Sequence, residues 1–106
     1  MDFESLINYL ESNGFEIIEA GGNCPIQVGA NHRDGWSFYF RARGSHVSLE
    51  LYDCHLEFDE ALPDEQHLLW EGTLNNWVWP DAGWLEPEEY GCVLHMLLAD
   101  GRDCLN

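Results

Sequence analysis

Four cysteines and five histidines are the residues best suited to chemistry in this 106-residue chain. Two spacings bring them together. Cys54 and His55 are adjacent, and Cys92 precedes His95 by about one helical turn, pairings that offer nitrogen and sulfur donors to a zinc ion. A zinc site needs about three or four converging ligands with ordered spacing. The sequence displays no such set and no C-x-x-C pair. The chain is therefore expected to hold no metal and no cofactor. A cysteine nucleophile becomes a thiolate in positive surroundings, and the charge here runs the other way. No phosphate-binding loop, dinucleotide fingerprint or nucleophile elbow is present. No catalytic residue is assigned and the chain is expected not to be an enzyme. A small enzyme with a Cys/His site ranks last among the readings.

Charge is the stronger signal. The chain carries 20 acidic residues against four arginines, with no lysine, a formal charge of −16. Between Gly44 and Gly101 there are thirteen carboxylates and no Lys or Arg. Solubility asks for a net charge of only about 2–8 in a small domain, with both signs mixed. An excess of one sign raises self-repulsion in the folded state, so it points to an interaction. Direct nucleic-acid binding would need a basic patch and is excluded. The complementary partner is a basic protein surface, above all one that itself binds nucleic acid.

High charge leads to disorder only where hydrophobic residues are scarce. Here 45% of residues are apolar and 13% aromatic, enough for a core, and the length suits a single acidic domain over 1–106. Met1-Asp2-Phe3-Glu4 lacks the positive start and apolar run of a signal peptide. No apolar stretch approaches the roughly 18 residues of a membrane span. Cytoplasmic residence, reduced thiols and no membrane partner are the expectation.

The elements follow from hydrophobic period. Residues 2–13 predict an amphipathic helix with Phe3, Leu6, Ile7 and Leu10 on one face and Asn13-Gly14 as its stop. Phe15 to Ala20 predicts a strand. In Trp36 to Arg43 the residues Trp36, Phe38, Phe40 and Ala42 alternate with polar ones, and Gly44-Ser45 makes a two-residue turn. Pairing across that turn sets Ala42 against Val47, Phe40 against Leu49 and Phe38 against Leu51, so all apolar residues share one face. With a loop over Asn31 to Gly35, the preceding strand sets Val28 against Phe38, Ile26 against Phe40 and Cys24 against Ala42. The opposite face carries Gln27, Tyr39, Arg41, Ser48 and Glu50, where Arg41 is expected to pair diagonally with Glu50. Leu68 to Leu74 and Trp77 to Trp79 suggest a further hairpin. A last helix is expected over 87–99, started by Pro87 and ended by Asp100-Gly101. Its stripe of Tyr90, Val93, Leu94 and Leu97 faces the core, and Cys92 and Met96 on the other side allow a homodimer through this helix. The fold class is α+β: an antiparallel β-meander of four or more strands flanked by an N-terminal and a C-terminal helix.

The segments Cys24-Pro25-Ile26-Gln27 and Tyr39-Phe40-Arg41-Ala42-Arg43-Gly44 resemble pairs in small phage and bacterial proteins of no assigned activity. In size and acidity the chain also resembles small phage-encoded anti-CRISPR proteins and other DNA mimics. That resemblance implies a non-enzymatic inhibitor that offers carboxylates where a defence complex expects phosphates. The expected carriers are Glu57, Asp59, Glu60, Asp64 and Glu65, with Glu86, Glu88 and Glu89 as a second patch. Trp77 and Trp79 are the expected aromatic contacts, since tryptophan is enriched in binding hot spots. An immunity or chaperone-like protein that neutralises a basic toxin or nuclease uses the same electrostatics and remains the alternative.

Overall fold

The computed structural model of the chain describes residues 3–21, 26–43, 46–57, 63–74 and 87–105. Helix α1 (Phe3–Ser12) leads into five strands, β1 (Phe15–Gly21), β2 (Ile26–His32), β3 (Ser37–Arg43), β4 (His46–Tyr52) and β5 (Leu68–Leu74). A short 3-10 turn (Glu65–His67) precedes β5, and helix α2 (Pro87–Leu105) follows it. The strands form one antiparallel sheet in sequence order, β1-β2-β3-β4-β5. This is the α+β meander that the alternating pattern predicts, with a fifth strand.

Alternation decides which face is buried. Ile26, Val28, Ala30, Phe38, Phe40, Ala42, Val47, Leu49 and Leu51 all point to one side and are fully buried there. Leu6 and Leu10 of α1 and Leu94, Leu97 and Leu98 of α2 complete that core. Gly14 takes a positive φ of 88°, the conformation that stops α1 and that glycine adopts without steric cost.

Where alternation fails in the sequence, the sheet bulges. Strict alternation from Phe15 and Ile17 would turn Glu19 toward the core. A register shift between Ile17 and Glu19 absorbs the extra residue, so that Glu19 pairs with Gly29 on the polar face and Ala20 pairs with Val28. A second shift lies between Leu51 and Tyr52, which pair with Trp70 and Leu68.

The β3–β4 register is as predicted: Ala42 pairs with Val47, Phe40 with Leu49 and Phe38 with Leu51. Arg43 pairs with His46, and the turn residues 44 and 45 lie outside the described residues. The β2–β3 register is not as predicted. Ile26 pairs with Ala42, Val28 with Phe40 and Ala30 with Phe38, two residues away from the expected alignment. A slip of two leaves every side chain on its own face, so alternation cannot detect it. What decides it is His32, which is buried, stacks on Trp36 at 4.7 Å and donates its backbone N–H to the Trp36 carbonyl at 2.7 Å. The expected loop from Asn31 thus shrinks to Arg33-Asp34-Gly35, closed by a Gly35 φ of 101°. Cys24, expected opposite Ala42, lies outside the described residues.

Helix α2 also outruns its prediction. It continues through Gly101 to Leu105 rather than stopping at Asp100-Gly101. Gly101 is buried against the sheet, where a Cβ would stand 2.7 Å from Trp70 Cε3 and 2.8 Å from Leu51 Cδ1. It is a close-packing residue and not a helix stop. Cys92 is not described at side-chain level, while Met96 is exposed.

Candidate acidic interface and a Cys-His-Asp cluster

Both helices pack on one side of the sheet, which leaves its polar side to be partly covered by the connection after β4. The residues following Tyr52 fold back over β3 and β2. The Ser37 hydroxyl donates to the Cys54 carbonyl at 2.6 Å. Asn31 accepts from the Leu56 amide at 2.6 Å and donates to the Leu56 carbonyl at 3.1 Å. His55 Nε2 lies 2.8 Å from the His32 carbonyl. This strap explains two buried polar residues on the polar side, Asn31 and Ser37, because each is satisfied by strap backbone. It also explains Gly29, where a Cβ would come within 3.1 Å of Leu56 Cδ1.

Beyond the strap the polar side is open and acidic. Pairing places Glu19, Gly29, Tyr39, Glu50 and Glu71 in one row across all five strands. Glu50 stands directly opposite Glu71. At strand spacings of about 4.8 Å, Glu19 and Glu50 are roughly 14 Å apart along the row. Glu50 and Glu71 have Cβ atoms about 5 Å apart. Glu16 lies one row further, paired with Asn31. Arg41 lies in the next row of this face, between Gln27 and Ser48, whereas Arg33 packs at Gly14 and Arg102 lies over the Trp36 ring. The expected Arg41–Glu50 pair does not form: among the described residues no arginine reaches ion-pair distance of a carboxylate. The Tyr52 hydroxyl takes that place and donates to Glu50 Oε2.

Two tyrosines carry the imprint of this field. Burial, and then the hydrogen bond to Glu50 and the carboxylates of Glu50 and Glu71, push the Tyr52 phenol well above the ordinary tyrosine range. Burial, followed by the Glu19 carboxylate, raises Tyr39 as well. Each phenol stays protonated beside acids, and Tyr52 uses its proton as the donor to Glu50.

Of the residues singled out from sequence, Glu57, Asp64 and Glu65 are exposed at the strap and the 3-10 turn, near the start of β5. Glu88 and Glu89 fall in the first turn of α2, with side chains outside the description. Asp59, Glu60, Glu86, Trp77 and Trp79 lie outside the described residues. Sequence reasoning missed Glu19 and Glu71. Finding Glu71 required pairing β5 with β4 across residues 53–67, which no local pattern dictates.

The same region contradicts one expectation about donor spacing. No converging Cys/His set is visible in the sequence, yet Asp53, Cys54 and His67 meet, each offering a donor atom within 4.8 Å of the others. His67 Nδ1 lies 2.8 Å from Asp53 Oδ1, and the Asp53 amide donates to the His67 carbonyl at 2.9 Å. The composition matches a cysteine–histidine–aspartate triad, but the electrostatics do not. Burial and then the Asp53 carboxylate push the Cys54 thiol up, whereas a nucleophilic cysteine needs its thiol pulled down.

In comparisons with known proteins, the chain matches no family model, no curated protein and no solved structure. Among the described residues no helix is long and apolar enough to cross a membrane.

Proposed function

We propose that this protein is a non-enzymatic acidic inhibitor that binds the basic, nucleic-acid-binding surface of another protein, with a phage-targeted defence complex as its setting. The row of Glu19, Glu50 and Glu71 carries this reading. Like charges placed directly opposite on neighbouring strands destabilise a sheet, and here Glu50 and Glu71 face each other with no arginine at ion-pair distance among the described residues. A fold that bears such a cost on an open face has a use for the charge outside itself.

The geometry suits a phosphate mimic. Duplex DNA presents one negative charge per about 1.7 Å of helix axis. The polar sheet face, with Glu19, Glu50 and Glu71, and the exposed Glu16, Glu57, Asp64 and Glu65 offer carboxylates in place of those phosphates. Carboxylates set on strands are already ordered, which lowers the entropy lost on binding. The half-buried Tyr39 adds a neutral phenol among them.

The test is capture of basic nucleic-acid-binding proteins, a CRISPR effector included, by the immobilised chain with and without competing duplex DNA. The expected result is a partner that duplex DNA displaces and that salt weakens, since the screening length falls from about 10 Å at 0.1 M to 3 Å at 1 M. Reversing Glu19, Glu57, Asp64, Glu65 and Glu71 together should abolish that capture. Single reversals should be nearly silent, because exposed ion pairs are worth about 0–1 kcal/mol each. A complex indifferent to salt, to duplex DNA and to the multiple reversal would overturn the reading.

A further inference from the structure

We infer that Asp53, Cys54 and His67 form a binding site for one zinc ion, which clamps the start of the strap to the start of β5. The inference is independent of what the acidic face binds.

The donor set is the first argument. A thiolate, an imidazole and a carboxylate are the three ligand types that zinc takes in proteins, with a solvent molecule filling the fourth tetrahedral position. Magnesium and calcium prefer oxygen donors throughout, so this mixture selects against both.

Geometry is the second. Tetrahedral zinc with bonds of about 2.0–2.3 Å spaces its donor atoms roughly 3.3–3.6 Å apart. The three donors here already lie within 4.8 Å of one another. The 2.8 Å contact between His67 and Asp53 needs to open by about half an ångström, and the remaining gaps close by side-chain rotation. Placement against solvent is favourable as well. The Asp53 and His67 side chains are 48% and 40% exposed, so an ion has an open path.

Backbone anchoring is the third. Ser37, fully buried, holds the Cys54 carbonyl. The His67 carbonyl accepts from the Asp53 amide, and the His67 amide donates to the Asp64 carbonyl at 2.9 Å. Each ligand's main chain is thus held by bonds that do not involve its donor atom, so little order has to be created when the ion arrives. The electrostatic gain is local. A divalent cation beside Asp53, with Asp64 bonded through its carbonyl to His67, offsets repulsion within this acidic connection.

The experiment uses the full chain, freed of metal by chelation and titrated with cobalt(II) as a spectroscopic stand-in for zinc. The expected result is a thiolate-to-cobalt charge-transfer band with tetrahedral d–d bands, saturating at one equivalent and abolished by added zinc. Cys54→Ser should remove the charge-transfer band. His67→Ala and Asp53→Ala should each weaken binding by about tenfold or more. A second readout needs no variant. With alkylation mapped by mass spectrometry on the unmodified chain, one equivalent of zinc should slow modification of Cys54 by about tenfold. Absence of a charge-transfer band, its survival in Cys54→Ser, or zinc protection confined to Cys24, Cys92 or Cys104 would each overturn the site.

Discussion

Glu50 and Glu71 face each other across β4 and β5, and the hydroxyl of Tyr52, two residues along β4, is the donor that Glu50 finds. Opposed like charges of this kind weaken a sheet by about 0.2–1 kcal/mol. Glu71→Lys is therefore expected to stabilise the fold by about that amount, measured by urea denaturation at low salt. The gain should shrink at high salt, as screening demands. As a single reversal, the same variant should leave partner capture nearly unchanged.

Tyr52 makes the fold sensitive to alkali. Its folded pKa is raised above the ordinary value of 10.0 by burial and by Glu50, so the folded chain holds a proton that the unfolded chain releases. The stability this represents is complete below about pH 10 and is lost as pH rises from there through the folded value. Tyrosinate absorbance should show part of the four-tyrosine titration delayed and released together with unfolding. Tyr52→Phe should shrink that delayed component to what Tyr39 contributes. It should also cost about 1.5–3 kcal/mol near neutral pH, the range for a hydrogen bond to a charged group.

Gly101 shows tertiary packing overriding helix propensity. Alanine in a helix interior is favoured over glycine by about 0.8–1.0 kcal/mol. Yet a Cβ here would overlap Trp70 and Leu51, and Trp70 is itself confined by Gly72, where a Cβ would lie 2.2 Å from its ring. Gly101→Ala is expected to destabilise by about 1–2 kcal/mol net, since overpacking costs about 1–3 kcal/mol. Combining it with Trp70→Leu should recover part of the helix gain. Thermal melts of the two single variants and the double variant measure the coupling.

Asn31 holds the strap by two hydrogen bonds to Leu56. Asn31→Leu should release residues 53–57 and expose Gly29 and Ser37. The Leu56 amide should then exchange hydrogen faster, with a stability loss of about 1–3 kcal/mol for polar groups left unpaired. Asn31→Asp should be intermediate, because it keeps the acceptor for the Leu56 amide and loses the donor to the Leu56 carbonyl.

Local repetition is legible from residue order alone. Alternation from Trp36 to Leu51 assigned every residue of β3 and β4 to a face. The two-residue turn at Gly44-Ser45 then left one register, because a slip of one residue would turn the whole apolar set to water. Helix α1 was equally legible, since its apolar spacing and the Asn13-Gly14 stop agree. Tertiary structure decided the rest. The β2–β3 alignment was ambiguous by two residues, a shift that changes no face, and the stacking of His32 on Trp36 with the positive φ of Gly35 resolved it. Gly101 reads as a helix end when isolated, but burial against Trp70 makes it an interior residue. The opposition of Glu50 and Glu71 and the meeting of Asp53 and Cys54 with His67 depend on pairing β4 with β5 across residues 53–67. Period and turn chemistry act over a few residues. Contacts across a long connection are chosen by what the whole core can bury, and only the folded chain holds that information.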